Sequence, residues 1–106
     1  MSEDYRKIDM AEAAGRLHLD KAIIERLMKK FLDSDVMEKA EKAFGESNVE
    51  EARLAIHSIK GTAANLGATG LSKLALDIET KIKENGTLDS DLLKLMKEIW
   101  SELKAM

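Results

Sequence analysis

The chain has 106 residues and a formal net charge of −3, and 44% of its residues are apolar. This length fits one domain with a single modest core. The chain contains no cysteine, which excludes a disulfide framework and thiolate chemistry. The negative net charge and the lack of a dense Lys/Arg run argue against a nucleic-acid binder.

The N-terminal sequence MSEDYRKIDM is polar and mixed in charge, unlike a signal peptide. No apolar run approaches the ~18 residues that a membrane span needs. The sequence therefore predicts a cytoplasmic protein that does not associate with a membrane. The initiating Met and the short stretch before the first helix favour a free-standing protein over a domain of a longer one.

The composition favours helices, because Ala, Leu, Lys, Glu, Met and Ile dominate and proline is absent. Residues 8–16 are predicted to form a short first helix. Asp20 then precedes two apolar patterns at helical spacing. The first comprises Ile23, Ile24, Leu27, Met28, Phe31 and Leu32, and the second comprises Val36, Met37, Ala40, Ala43 and Phe44. The two patterns differ in phase at ~100° per residue, so a kink or break is predicted near residues 33–35.

Capping signals divide the rest of the chain into three further helices. Ser47 or Asn48 offers a capping box for a helix that runs to about Leu66, with Gly67 as its stop. Thr69 is a candidate cap for the next helix. The apolar positions of the last two helices are Leu71, Leu74, Ala75, Ile78 and Ile82, then Leu92, Leu93, Met96, Ile99, Trp100 and Leu103.

Gly86 is predicted to end the helix that follows Thr69, and Thr87 or Asp89 to open the last one. Four substantial amphipathic helices with short connections are buried most simply in an up-down antiparallel four-helix bundle. We therefore predict an all-α fold of this kind, preceded by the short N-terminal helix. Residues 1–106 are interpreted as one such domain.

His57 stands between two isoleucines in the sequence Ile-His-Ser-Ile-Lys-Gly, residues 56–61. The buried stripe of this helix is predicted to comprise Val49, Ala52, Ile56, Ile59, Ala63 and Leu66. At ~100° per residue, His57 lies about 130° from the centre of the stripe. The imidazole is therefore predicted to face outward, while the two isoleucines face the core.

Five residues are the predicted neighbours of His57, because positions three, four and seven apart meet on a helix surface. They are Arg53, Leu54, Lys60, Gly61 and Ala64. Arg53 and Lys60 place positive charge on either side of the ring. Gly61 costs roughly 1 kcal/mol against Ala inside a helix. A reason to keep it is the clearance that it gives to an approaching molecule.

This combination suits an acceptor of phosphoryl groups. Imidazole titrates near pH ~6.5, so at neutral pH most of it is uncharged and nucleophilic. Exposure admits a protein donor, and Lys60 with Arg53 can screen the dianionic product. The alternative interpretation of His57 is an ordinary surface histidine on a solvated face, since exposed histidines are common.

The stretch from His57 to Gly67, His-Ser-Ile-Lys-Gly-Thr-Ala-Ala-Asn-Leu-Gly, closely resembles the signature of histidine phosphotransfer (HPt) domains. The family pattern is His-x-x-Lys-Gly, followed by small residues and then by Leu-Gly one turn or more later. Further positions that fit are Phe31, Leu71, Leu74 and Glu79. The resemblance covers essentially the whole chain and favours the phosphoacceptor over the ordinary surface histidine.

The resemblance implies a histidine phosphocarrier in a multistep two-component phosphorelay rather than an enzyme. His57 would be the phosphoacceptor, through Nε2. Lys60 would neutralise or position the phosphoryl group, and Gly61 would leave room for a partner to dock. Candidates for the rest of the docking surface are Arg53, Leu54 and Ala64.

The implied partners are the receiver domains of response regulators. One receiver would donate from its phospho-aspartate and another would accept, with a hybrid histidine kinase as a further candidate partner. The Mg²⁺ and the catalytic carboxylates would belong to the receiver, so this chain is expected to hold no cofactor and no metal. A complete bundle needs no second copy to close its core, so a monomer is expected.

Two related groups fit less well. The N-terminal phosphotransfer domains of chemotaxis kinases share His-x-x-Lys-Gly, but residues 64–67, Ala-Asn-Leu-Gly, fit the relay type better. A kinase dimerisation helix usually shows His-Glu and a nearby proline, whereas Ser58 follows His57 and proline is absent.

The alternative function is a non-catalytic helical adaptor or scaffold that binds receiver domains without exchanging phosphate.

Overall fold

The computed structural model describes residues 5–106, which contain six helices and no strand. The helices are α1 (Met10–Leu17), α2 (Lys21–Leu32), α3 (Val36–Gly45), α4 (Val49–Leu66), α5 (Thr69–Asn85) and α6 (Ser90–Lys104). The predicted all-α fold with a short N-terminal helix is confirmed. The first four residues of the predicted 1–106 domain lie outside the described residues. Across the described range, no helix has the length and apolarity that crossing a membrane requires.

A capping side chain fixes the start of α4, and two glycines fix the ends of α4 and α5. Asn48 accepts a hydrogen bond from the amide of Glu51 at 3.1 Å, which satisfies an amide at the start of α4. Gly67 and Gly86 adopt left-handed backbone conformations, with φ of 91° and 67°, and end α4 and α5 as predicted. Thr69 is the first residue of α5 rather than its cap, so that detail of the prediction is wrong.

The predicted break near residues 33–35 separates α2 from α3. The hydroxyl of Ser34 donates to the carbonyl of Phe31 at 2.6 Å, which closes the last turn of α2. The buried indole of Trp100 donates to the carbonyl of Leu32 at 3.0 Å, and its ring meets that of Phe31 edge to face at 4.9 Å. Contacts with α6 therefore fix the position of the break between α2 and α3.

The helices close into a bundle around one main core. The α2–α3 pair packs on α4, α4 on α5, α5 on α6, and α6 back on α2 and α3. Contacts between α6 and the α2–α3 pair run in opposite chain directions, since Trp100 meets Leu32 whereas Lys97 pairs with Glu41 further along α3. This ordering is consistent with the predicted up-down antiparallel arrangement.

The core contains the predicted apolar stripes with three exceptions, of which Ile23 is partly buried but belongs to neither core cluster. The other two, Val49 and Leu27, belong to the predicted stripes but are exposed. Val49 is the first residue of α4, where the helix has only begun to enter the bundle. Leu27 lines a shallow groove between α2 and α4. A periodic pattern predicts the buried direction of a helix, but not how far neighbouring helices cover it.

The segment before α1 packs against the corner between α4 and α5. The amide of Asp9 donates to the carbonyl of Gly67 at 2.7 Å, and the amide of Gly70 donates to the carbonyl of Lys7 at 2.9 Å. A Cβ atom on Gly67 would lie 2.5 Å from the carbonyl oxygen of Asp9, so glycine is required here for close approach as well as for its positive φ. Arg16 adds a hydrogen bond to the carbonyl of Ala64 at 3.2 Å. These contacts fix the last turn of α4.

Candidate functional site

The imidazole of His57 projects from the outer face of α4. Its side chain is 60% exposed, whereas Ile56 and Ile59 are fully buried. The predicted outward direction of the ring is therefore confirmed. The two isoleucines anchor α4 in the core, and this makes the position of the exposed ring a property of a packed helix rather than of a loop.

A buried carboxylate of α5 holds the imidazole. Oε2 of Glu79 lies 2.9 Å from Nδ1 of His57, and the Glu79 side chain is only 3% exposed. An ionised carboxylate only accepts hydrogen bonds, so Nδ1 must carry the proton that it donates to Glu79. In the neutral ring, this tautomer leaves Nε2 with a free lone pair.

The same carboxylate binds Lys60, one turn further along α4. Oε1 of Glu79 lies 2.6 Å from the ammonium of Lys60, whose side chain is 28% exposed. Each oxygen of Glu79 therefore has its own partner on α4. The hydroxyl of Ser72 also donates to the carbonyl of Lys60 at 3.0 Å, so α5 supports this turn of α4 at two levels.

The charge of Glu79 is maintained by its two partners. Burial raises the pKa of Glu79, but the hydrogen bonds from Lys60 and then His57 outweigh this effect, and the net pKa lies below its usual range. Glu79 is therefore ionised at neutral pH. With a neutral imidazole, the charges of Glu79, Lys60 and His57 sum to zero.

Gly61 lies on the exposed face of α4, next to the ring in the helical lattice. A Cβ atom built at this position would meet nothing within 4 Å. The packing of the bundle therefore does not require glycine here. The open space is compatible with the predicted role of Gly61, which is clearance for a docking partner. That role stays a prediction.

The other three predicted neighbours also lie on this face. The guanidinium of Arg53 binds Glu50 at 2.9 Å, and Leu54 and Ala64 are exposed. Leu54 borders a groove between α3 and α4 that also contains Ser58, the residue after His57. The structure thus gathers the three candidates around His57, and their contact with a partner stays a prediction.

Glu79 is the site residue that the sequence analysis did not assign. Its position fits the family pattern, but the sequence alone indicates no role for it. A signal was present, because Glu79 follows Ala75 by four residues and precedes Ile82 by three, on the buried side of α5. A charged residue at a buried position needs a partner. Its partners, 22 and 19 residues earlier, become apparent only when α4 and α5 are packed together.

No metal site accompanies these residues in the described part of the chain. Within residues 5–106, no three side chains of the His, Cys, Asp or Glu type come together as candidate ligands. The groups that the site itself provides are an exposed imidazole, a fixed carboxylate and nearby cations. The expectation that this chain needs no cofactor stays untested.

Comparison with known proteins gives one family. Neither a curated protein nor a solved structure matches the chain. The family model described as Hpt domain matches residues 26–106, which include α3 to α6 and therefore His57, Lys60 and Glu79. Hpt domains act as phosphocarriers in phosphorelays, where they interact with receiver domains, and they are not enzymes in the classical sense. The match covers most of the sequence, and the chain belongs to the Hpt domain family.

Proposed function

We propose that His57 accepts a phosphoryl group from the phospho-aspartate of one receiver domain and passes it to the aspartate of another. The observation that supports this proposal is the exposed imidazole whose Nδ1 is bound by a buried carboxylate, Glu79. An ordinary surface histidine has no need of such a partner. A carrier does, because the ring must keep one tautomer and one orientation through repeated transfers.

In the transfer step, the Nε2 lone pair of His57 attacks the phosphorus of the aspartyl phosphate. The N–P bond forms as the bond from phosphorus to the aspartate oxygen breaks, and the aspartate leaves as a carboxylate. The ring then carries a phosphoryl group on Nε2 and a proton on Nδ1, and is positively charged. Glu79 stabilises that charge through the Nδ1 hydrogen bond. The reverse sequence delivers the group to the next receiver.

Lys60 and Gly61 serve the same reaction in different ways. The ammonium of Lys60 stays on Glu79 and screens the negative phosphoryl group from that fixed position. Gly61 leaves the surface beside the ring low, so that the active site of a receiver can reach Nε2. The Mg²⁺ and the acidic residues that activate the aspartate belong to the receiver, and we propose no cofactor in this chain.

The direct test is transfer from phosphorylated receiver domains of the same cell. We expect the wild-type protein to take the phosphoryl group in a form that is labile in acid and stable in base, as phosphohistidine is. His57→Gln is expected to abolish this transfer. His18→Gln is the matched control, because His18 is the other histidine of the chain and should be dispensable.

Two results would separate this function from its alternative. Normal labelling of His57→Gln contradicts the proposed acceptor. Binding of receivers by the wild-type protein with no exchange of phosphate supports the adaptor instead. The same profiling identifies which receivers, and whether a hybrid histidine kinase, supply the group. Sedimentation of the protein at assay concentration tests the proposed monomer, and the cytoplasmic location stays a prediction of the sequence.

A further inference from the structure

We propose that Arg53 leaves Glu50 when His57 is phosphorylated and binds the phosphoryl group directly. This inference rests on the proposed function of His57 and concerns the residue that holds the product. Lys60 is the cation that the family pattern suggests for this task. In the structure, Lys60 is paired with a buried carboxylate, whereas the carboxylate paired with Arg53 is exposed.

The ammonium of Lys60 is committed to a buried partner. It lies 2.6 Å from Oε1 of Glu79, whose side chain is 3% exposed. If Lys60 swung away to bind a phosphoryl group, this carboxylate would remain buried without its cation. Breaking a buried pair in this way is strongly destabilising. Lys60 therefore contributes its charge from where it is.

The guanidinium of Arg53 is held much more loosely. It binds Oε2 of Glu50 at 2.9 Å, and the side chains of Arg53 and Glu50 are 33% and 67% exposed. The contrast with Lys60 lies in the carboxylate, because water solvates Glu50 well, and an ion pair with a solvated partner contributes little to stability. Glu50 can therefore return to water at small cost, and Arg53 is available for a more highly charged partner.

Arg53 also starts from the right place. It precedes His57 by four residues on α4, which puts their Cβ atoms roughly 5–6 Å apart. Side chains on a helix lean toward its N-terminus, so the ring of His57 extends over the turn that carries Arg53. The hydrogen bond with Glu50 is the main cause that raises the pKa of Arg53, and the charge of Glu79 adds to it. Arg53 thus lies within the field of the carboxylate that binds His57.

Phosphorylation supplies the driving force for the exchange. A phosphoryl group adds about −1.5 to −2 charges at neutral pH. Glu79, Lys60 and the positively charged phosphorylated ring together supply a net single positive charge, so a dianionic phosphoryl group leaves the site with an excess of negative charge. A guanidinium fits phosphoryl oxygens with two parallel hydrogen bonds, whereas Glu50 accepts one from Arg53 and carries a single charge. Arg53 therefore gains more from the phosphoryl group than it loses with Glu50.

The test is the second ionisation of the phosphoryl group on His57. The protein is phosphorylated chemically with phosphoramidate, and the phosphorus NMR shift is followed against pH. A bound guanidinium favours the dianion, so Arg53→Gln is expected to raise the midpoint by on the order of one pH unit. Arg6→Gln is the matched control, because Arg6 also binds an exposed glutamate, Glu102, but on α6. The same midpoint in wild type and Arg53→Gln overturns the proposal.

Further variants separate this proposal from the proposed function. His57→Gln assigns the signal, and a wild-type protein that forms no phosphohistidine at His57 contradicts the function itself. A normal signal with an unchanged midpoint in Arg53→Gln overturns only the exchange. Arg53→Lys keeps the charge and should recover part of the shift. Glu50→Gln removes the resting partner of Arg53, so the midpoint should stay at the wild-type value or fall below it. A rise of the midpoint like that expected for Arg53→Gln also overturns the proposal.

Discussion

Two ion pairs flank His57 on α4, and they differ in burial. Lys60 binds the buried carboxylate of Glu79 from α5, whereas Arg53 binds the exposed carboxylate of Glu50 on its own helix. The first pair ties two helices together and fixes the ring. The second is local and solvated. The pair that joins α4 to α5 shares the carboxylate that fixes the imidazole, whereas the pair within α4 places a cation beside the ring that only an exposed carboxylate binds, as the proposed exchange requires.

The largest effect is expected from breaking the buried pair. Lys60→Gln leaves the charge of Glu79 with His57 as its remaining donor, and should lower the free energy of unfolding by about 1–3 kcal/mol. Arg53→Gln, which removes the exposed pair, should leave it nearly unchanged. Urea unfolding of both variants measures the difference. Equal destabilisation by the two substitutions would contradict this difference between the buried and the exposed pair.

Glu79→Gln tests whether the buried carboxylate also serves the reaction. The amide can still accept from Nδ1 of His57, but it cannot offset the positive charge of the phosphorylated ring. Transfer from a phosphorylated receiver is expected to slow by on the order of tenfold, as orienting partners of functional histidines typically contribute. Rapid-quench measurement of the transfer rate checks this. A wild-type rate would limit Glu79 to a structural role.

The pH dependence of stability should report the same group. The folded-state pKa of Glu79 lies below its usual range, so its contribution is complete above the unfolded value near ~4.3. This contribution is lost as the pH falls through the lower folded-state pKa. Glu79→Gln should therefore flatten the acid limb of the stability curve. Unfolding followed by circular dichroism from pH 7 to pH 2 measures it, and an unchanged limb in the variant would assign the acid loss to other carboxylates.

Substitutions of Gly61 can separate an effect on the stability of the fold from an effect on the docking of a partner. Gly61→Ala should stabilise α4 by up to about 1 kcal/mol, because the added Cβ meets nothing within 4 Å. Gly61→Phe should slow transfer from a receiver while leaving phosphorylation by phosphoramidate unchanged, since only the protein donor needs the clearance. Equal slowing with both donors would indicate that the substitution disturbs His57 rather than docking.

The smallest effect on stability is expected from the hydrogen bond between Tyr5 and Asp77, which lies away from the His57 face of α4. The hydroxyl of Tyr5 donates to Asp77 on α5, and this hydrogen bond is the main cause that raises the pKa of Tyr5 to about 12. The contribution to stability is present below the unfolded value near ~10 and lost as the pH rises toward 12. Because Tyr5 is the sole tyrosine, absorbance titration reads it directly. Asp77→Asn should move the midpoint back toward 10, and a midpoint near 10 in the wild type would rule the bond out.

The apolar periodicity of the sequence predicted most of the fold and the direction of His57. It located the break between α2 and α3 because the two stripes differ in phase, and it separated His57 from Ile56 and Ile59 by angle alone. It could not pair Glu79 with His57, because that contact depends on the register between two helices. Register is decided by packing across the whole α4–α5 interface, which no single stripe encodes.

Trp100 gives the protein a built-in optical reporter. It is the sole tryptophan of the chain. Its indole donates a hydrogen bond to the carbonyl of Leu32 and packs against Phe31 at the end of α2. Phe31 also lines the groove beside α4 that contains Ser58, the neighbour of His57. A partner that covered this groove would contact Phe31 and so change the surroundings of the indole. A change in tryptophan emission on mixing with a receiver domain is therefore the signal expected if docking covers this groove, and it needs no added label.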